Sequence, residues 1–224
     1  MLDTVITALQ WLFAAAADDP FAVMNTIGLV AFALVGSSKA IREGFDLFGV
    51  SIVGLAMAFA GGVTRDLLVT RIPLALQSPA EIVLGAFGVL LAIVLQFALR
   101  SPDEHPITVV ADAIGLAAFA TTGAIVATEA GVSPFGVVAI ATINAVGGGA
   151  FADILLDRSP FILFDDFYAS CAVLGGTAYL LTDLLGAAGS TAAAACAVVT
   201  VATRLLAVTR DWGLPTVEEL KGLG

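Results

Sequence analysis

Residues 27–73, IGLVAFALVGSSKAIREGFDLFGVSIVGLAMAFAGGVTRDLLVTRIP, recur at 114–160 as IGLAAFATTGAIVATEAGVSPFGVVAIATINAVGGGAFADILLDRSP. An offset of 87 aligns the two stretches without a gap and leaves about 19 of 47 positions identical, far above chance even for an Ala/Gly/Val-rich chain. The coincidences include residues that set backbone geometry: Gly28/Gly115, Gly36/Gly123, Gly44/Gly131, Gly49/Gly136, Gly61/Gly148, Gly62/Gly149 and Pro73/Pro160. Asp66/Asp153, Arg71/Arg158 and Phe48/Phe135 coincide as well. Glycine frees the backbone and proline restrains it, so repeating them implies one backbone shape used twice.

Around this repeat the composition is that of a membrane protein. Hydrophobic residues make up 59% of the chain and charged ones 12%, about half the charged share of a soluble domain. Apolar runs reach the roughly 20 residues needed to cross a hydrocarbon core. Seven segments read as spanning helices: 22–42, 46–70, 80–99, 109–129, 133–156, 166–185 and 188–208. Gly44, Pro73, Pro79, Pro102, Gly131, Pro134 and Pro160 punctuate the loops between them. The stretch 5–17 is too short to span; the alternatives are a cleavable signal, whose basic start it lacks, and the favoured reading, an amphipathic helix lying on the surface. The net charge of −10 is placed at loops and ends, as an acidic solvated rim, and no basic cluster suggests nucleic acid as a partner. Cys171 and Cys196 stand alone in apolar runs and read as inert buried thiols; His105 stands alone in a loop, and no metal site is expected.

Most Lys and Arg fall on one side if the N-terminus is outside: Lys39, Arg42, Arg100, Arg158, Arg204, Arg210 and Lys221, with Arg71 opposite. The expected topology is therefore a multi-pass cell-membrane protein with its N-terminus outside and its C-terminus cytoplasmic. Each repeat holds three spans, an odd number, so the second copy enters from the opposite side. The expected fold is all-α, with seven transmembrane helices arranged as two inverted three-helix repeats plus a seventh helix. Its divisions are 1–21, an N-terminal extracellular segment; 22–208, the seven-helix domain; and 209–224, a cytoplasmic tail. Within the domain, repeat one covers about 22–99, repeat two about 109–185 and the seventh helix about 188–208.

Inverted repeats place a functional path at the interface between copies. Gly61 and Gly62 in the second span, and Gly147, Gly148 and Gly149 in the fifth, are adjacent glycines pointing in different directions. A kink or broken turn in each helix is expected, against the alternative of close packing. Just beyond lie the carboxylates Asp66 and Asp153, and charges inside spans are functional candidates. Arg65 adjoins Asp66, but neighbours in sequence do not face each other on a helix, so each is expected to find a partner on another helix. Ser37, Ser38, Thr64, Thr121 and Thr122 offer hydroxyls, and Asn144 is expected to point inward. Lys39 either snorkels to the headgroups or acts as a positive gate opposite Asp112 or Asp153. No nucleophile–base pair, His/Cys/Glu cluster or phosphate-binding loop outside a span is present, so the chain does not read as an enzyme.

The motifs Gly44-Phe45-Asp46-Leu47-Phe48-Gly49, Gly61-Gly62-Val63-Thr64-Arg65-Asp66-Leu67-Leu68 and Gly147-Gly148-Gly149-Ala150-Phe151-Ala152-Asp153 resemble those of the prokaryotic trimeric intracellular cation channels. The same pattern marks a bacterial membrane domain labelled glycine transporter. The resemblance covers about 26–208. It implies a homotrimer with a potassium-permeable pore inside each protomer, lined by the first, second, fourth and fifth helices. It also implies membrane lipid as a neighbour, transported potassium or sodium in place of a cofactor, and pore or gating roles for the candidate residues above. Animal members carry a basic lipid-binding motif near the pore; residues 124–127 of this chain hold no Lys or Arg. The alternative is a secondary transporter of glycine or another small amino acid, working by rocking of the two repeats.

Overall fold

The computed structural model describes residues 18–99, 106–163 and 167–214. The surface helix expected at 5–17, His105 and the tail beyond 214 lie outside the described residues. Among the described residues seven long helices follow in order: α1 Pro20–Arg42, α2 Leu47–Leu68, α3 Pro79–Leu99, α4 Pro106–Glu129, α5 Pro134–Leu155, α6 Ala169–Leu184 and α7 Gly189–Arg210. A single helical turn, Leu74–Gln77, precedes α3, and a 3-10 turn, Phe161–Leu163, follows α5. Six of the seven are long and apolar enough to cross a membrane; α6 is apolar but only 16 residues long.

The helix ends explain why the repeat folds the same way twice. The Asp46 side chain accepts from Gly49 N at 2.7 Å to cap α2, and Ser133, its counterpart, accepts from Gly136 N at 3.2 Å to cap α5. Gly44 and Gly131 close the preceding helices at φ +76° and +68°, a left-handed conformation that costs glycine little. Even where glycine is absent the backbone repeats: Thr70 and Asp157 end α2 and α5 at φ 59° and 55°. Each of those turns sends an amide back to its carboxylate residue, Arg71 N to Asp66 O at 2.8 Å and Arg158 N to Asp153 O at 2.9 Å.

Packing contacts between the repeats are reciprocal. Phe32 of α1 and Phe119 of α4 meet edge-on, centroids 5.1 Å apart. Gly28 leaves room for the Phe119 ring, and Gly115 leaves the same room for Phe32. Gly61 of α2 lies against the Asn144 carbonyl of α5, while Gly148 of α5 lies against the Met57 carbonyl of α2. Every one of these partners is offset by 87, so one operation exchanges the copies, as a two-fold axis does. With three spans per copy, the axis lies in the membrane plane.

The expected broken turns at the glycines are not found. Both α2 and α5 continue as helix through Gly61-Gly62 and through Gly147–Gly148–Gly149. Lacking Cβ atoms, Gly61 and Gly148 let the two backbones approach to a separation no larger residue permits, with Gly147 close against Gly61, and the packing alternative prevails.

The copies differ in what covers them. In repeat one, Gly88 of α3 packs on the Val30 backbone of α1. Its counterpart Gly175 of α6 packs instead on Thr200 and Cys196 of α7. The added helix thus takes a place beside α4, which is the most buried span. Cys171 and Cys196 are buried free thiols. Away from these interfaces the surface is apolar: the equivalent residues Phe48 and Phe135 are 74% and 82% exposed, as side chains facing lipid tails are.

Candidate functional site

The α1/α2/α4/α5 interface carries a buried polar cluster at each end. Helix α1 joins α2 through a short turn and runs antiparallel to it, so the end of α2 lies beside the start of α1. Asn25 and Lys39 mark the two ends of α1, about 21 Å apart along its axis.

At one end, Asp66 is 5% exposed and Arg65 2%. Arg65 Nε donates to Asp66 Oδ1 at 2.8 Å, and Leu74 N donates to Asp66 Oδ2 at 2.9 Å. Asp66 thus takes one partner from the Leu74–Gln77 turn, but the expectation that Arg65 would find its ion-pair partner on another helix is overturned: its side chain is long and curls back to its own neighbour. Its guanidinium lies over the Phe21 ring, 5.4 Å from the centroid. Beside them Asn25 Nδ2 donates to both carboxylate oxygens of Glu81, each at 3.0 Å. A cavity of about 400 Å³ opens over this cluster.

At the other end, Lys39 Nζ reaches Asp153 Oδ1 at 2.8 Å, and Phe161 N donates to Asp153 Oδ2 at 3.1 Å. Lys39 therefore takes the ion-pairing alternative rather than snorkelling to the headgroups, and it also lies 4.9 Å from the Phe161 ring centroid. Tyr168 donates its hydroxyl to Asp112 Oδ1 at 3.0 Å, and Arg204 of α7 approaches Asp112 at 3.7 Å while stacking on Tyr168. At the rims, Arg71 meets Glu129 at 3.3 Å and Arg158 meets Glu43, each bridge joining one repeat to the other.

The two ends are the same construction with different charges. The bonds to Leu74 N and Phe161 N are equivalent at offset 87, as are the pairs Asn25–Glu81 and Asp112–Tyr168. Val126 stands where Lys39 would be, and Ala152 where Arg65 would be. One end therefore holds Asp66 and Glu81 against Arg65; the other holds Asp153 and Asp112 against Lys39 and Arg204. Glu81, Tyr168 and Arg204 were not singled out in the sequence. Applying the offset to Glu81 lands on Tyr168 and marks both; nothing marks Arg204, because α7 has no counterpart.

Between the ends lies Asn144, fully buried. Its Nδ2 donates to Phe119 O at 2.6 Å and to Thr122 Oγ1 at 3.0 Å, and its Oδ1 has no hydrogen-bond partner among the described residues. Thr122 is buried beside it, whereas Thr121 is buried against Cys196 of α7; both donate within α4, to Phe119 O and Ala117 O respectively. Gly62 and Gly149 leave space near Arg65 and Phe161 respectively, toward the two clusters. Ser37 is buried and ties α1 to α2 through Val50 O at 3.2 Å, whereas Ser38 is half-buried. Thr64 is exposed and donates to Ala60 O of its own helix, away from the interface.

A family model described as Glycine transporter matches this chain twice, at residues 22–97 and 109–183. The UPF0126 membrane protein of Deinococcus radiodurans is 36% identical over 162 residues, 70% of this chain and 74% of the relative. A solved TRIC cation channel is 35% identical, covers 88% of this chain and 96% of its own, and superposes with a TM-score of 0.80. The TRIC trimeric intracellular cation channel orthologue from Rhodobacter sphaeroides gives 29% identity, a TM-score of 0.78, and coverage of 85% and 98%.

Proposed function

The chain belongs to the glycine-transporter family and with it to the TRIC family of membrane proteins, and from that membership we propose a cation channel that passes potassium and sodium. The observation that carries this reading is the pair of buried carboxylates, Asp66 and Asp153, at equivalent positions on opposite ends of the repeat interface. The free oxygen of Asn144 lies between them. Buried carboxylates within low-dielectric walls raise the local concentration of cations and exclude anions.

Asp153 is sequestered in this structure by Lys39, a cation from the other repeat. Conduction requires Lys39 to leave, which frees an oxygen for a partly dehydrated ion. The Phe32–Phe119 contact and the α2–α5 crossing seal the middle, so opening also separates the repeats slightly. Asn144 Oδ1 then supplies a neutral ligand midway. The roles expected for carbonyls freed at the glycines are withdrawn, because those carbonyls remain in unbroken helices.

In this reading each protomer of a homotrimer holds its own path, and the lipid-facing surface shares contacts with membrane lipid and with the other protomers. The distribution of Lys and Arg supports a cell-membrane orientation with the N-terminus outside, so the Asp66 end opens outward and the Asp153 end inward. The segments 1–21, 22–208 and 209–224 are then extracellular, channel-forming and cytoplasmic.

Purified protein in planar bilayers under a potassium chloride gradient provides the test. Discrete current steps reversing near the potassium equilibrium potential support the channel. Saturable glycine uptake into vesicles without current steps refutes it and makes the chain a carrier.

A further inference from the structure

The residues around Asp153 are largely the ones the duplication does not repeat. Offset by 87, Lys39 answers to Val126 and Phe161 to Leu74, so the Asp66 end has neither this ammonium nor this ring. At the Asp153 end the Lys39 ammonium sits in a built seat. Asp153 Oδ1 accepts from it at 2.8 Å, while Oδ2 is fixed by Phe161 N at 3.1 Å. The Phe161 ring faces the ammonium at 4.9 Å, inside the roughly 6 Å over which an aromatic face attracts a cation. Tyr168 braces that ring edge-on, centroids 4.4 Å apart, and its hydroxyl holds Asp112 at 3.0 Å. Asp112 is a second carboxylate whose charge acts on Lys39.

A carboxylate, an aromatic face and a second negative charge form a receptor for an ammonium group, and nothing in it requires the ammonium to be tethered. Asp153 and Tyr168 are buried, so the walls are fixed by packing. The occupant is the looser part: the Lys39 side chain is 16% exposed, stands on a flexible four-carbon stem, and has Asp153 Oδ1 as its one acceptor among the described residues. With Lys39 out, two carboxylates face Arg204 alone and draw in another cation. Potassium needs several oxygens to replace its water. The seat offers one free carboxylate oxygen, since Asp112 is taken by Tyr168 and Arg204. A primary ammonium satisfies that oxygen with an N–H and the ring with its charge.

We propose that the Asp153 end is a binding site for a primary alkylammonium ion, held by Asp153 and Phe161, with Lys39 as its tethered occupant in this structure. A soluble amine takes the seat when Lys39 is out of it. Binding is read without current, and only the block of current described below rests on the channel reading.

The test empties the seat by substitution. Lys39→Ala of the full chain is melted in maltoside detergent at constant ionic strength while n-propylammonium chloride replaces tetramethylammonium chloride. Propylammonium matches the lysine side chain beyond Cβ, and the quaternary ion has no N–H to offer. The amine restores most of the lost melting temperature saturably, and potassium does so only at about tenfold higher concentration. Adding Phe161→Leu, the residue of the other repeat, raises the half-saturating concentration about threefold; adding Asp153→Asn abolishes the effect. Lys39→Met, which keeps the bulk of the stem and empties only the ammonium position, is stabilised by ammonium chloride in the same way. No saturable rise in either variant, an equal rise with potassium, or a rise that survives Asp153→Asn overturns the site. In wild-type bilayers n-propylammonium added from the side of the Asp153 end lowers the potassium current, and tetramethylammonium does not. Rescue without that block means Lys39 never yields the seat, which overturns its use by a soluble amine. Rescue with no current at all upholds the site and faults the channel reading instead.

Discussion

Replacing Gly148 with alanine tests the crossing of α2 and α5 on which the proposed path depends. A Cβ at Gly148 falls inside the contact distance of the Met57 carbonyl oxygen, and 3.1 Å from the Met57 carbonyl carbon. Ordinary contacts of a Cβ begin at 3.4 Å. Both obstructing atoms are backbone, so no rotamer change relieves the clash and the helices must part by about 1 Å. A gap of that size forfeits roughly a quarter to a half of each dispersion contact along the crossing. The expected loss is about 3 kcal/mol, at the upper end of the cost of overpacking. Gly61→Ala, against the Asn144 carbonyl, behaves alike by the two-fold relation. Gly62→Ala is the control: its Cβ meets nothing closer than Arg65 Nη2 at 3.8 Å, and alanine favours the helix by about 1 kcal/mol. Fluorescence-detected size exclusion after heating measures all three in one detergent. If Gly148→Ala and Gly62→Ala melt together, close packing is not what the glycines provide. If instead Gly62→Ala keeps its stability but loses current, an opening turn at the glycines is restored as the explanation.

Four further outcomes follow from the same geometry. Lys39→Gln leaves Asp153 without its counter-charge and raises unitary potassium current roughly fivefold, the equivalent of about 1 kcal/mol in the barrier; an unchanged current in bilayer recording removes Lys39 from the gate. Asp153→Asn lowers the permeability of potassium relative to chloride, read as a shift of reversal potential toward zero under a salt gradient. Arg204→Gln weakens the Asp112–Tyr168 cluster and lowers melting by the equivalent of about 1 kcal/mol, modest because the pair is 3.7 Å apart. Asn25→Leu, which strands the buried Glu81 carboxylate, costs more, about 2 kcal/mol in the same melting assay.

Much of the site was legible once the offset of 87 was applied to every polar residue. It places Asp66 with Asp153 and Asn25 with Asp112. Carried further, it leads from Glu81 to Tyr168 and from Leu74 to Phe161, the two amide donors. Thr64 misled because a hydroxyl on a span reads alike whether it faces the interface or lipid; the structure puts it outside, bonded to its own helix. Arg65 misled for a different reason. The rule that adjacent residues point apart describes Cβ directions, and a flexible arginine has enough reach to return to its neighbour.

The amino-acid sequence by itself determined the membrane class, the spans and the inverted duplication. Those depend on hydropathy along the chain, on an odd number of spans per copy, and on glycine and proline acting through local backbone geometry. Only the tertiary structure decided what the glycines do and which charges pair. Adjacent glycines are compatible with a broken helix or a close crossing, and the choice depends on what the partner helix places opposite them: here the carbonyls of Met57 and Asn144. Likewise Lys39 meets Asp153, 114 residues away, because two-fold packing brings the end of α1 to the end of α5. A buried charge takes whichever partner the fold brings within reach, since leaving it unpaired in a low-dielectric interior costs several kcal/mol.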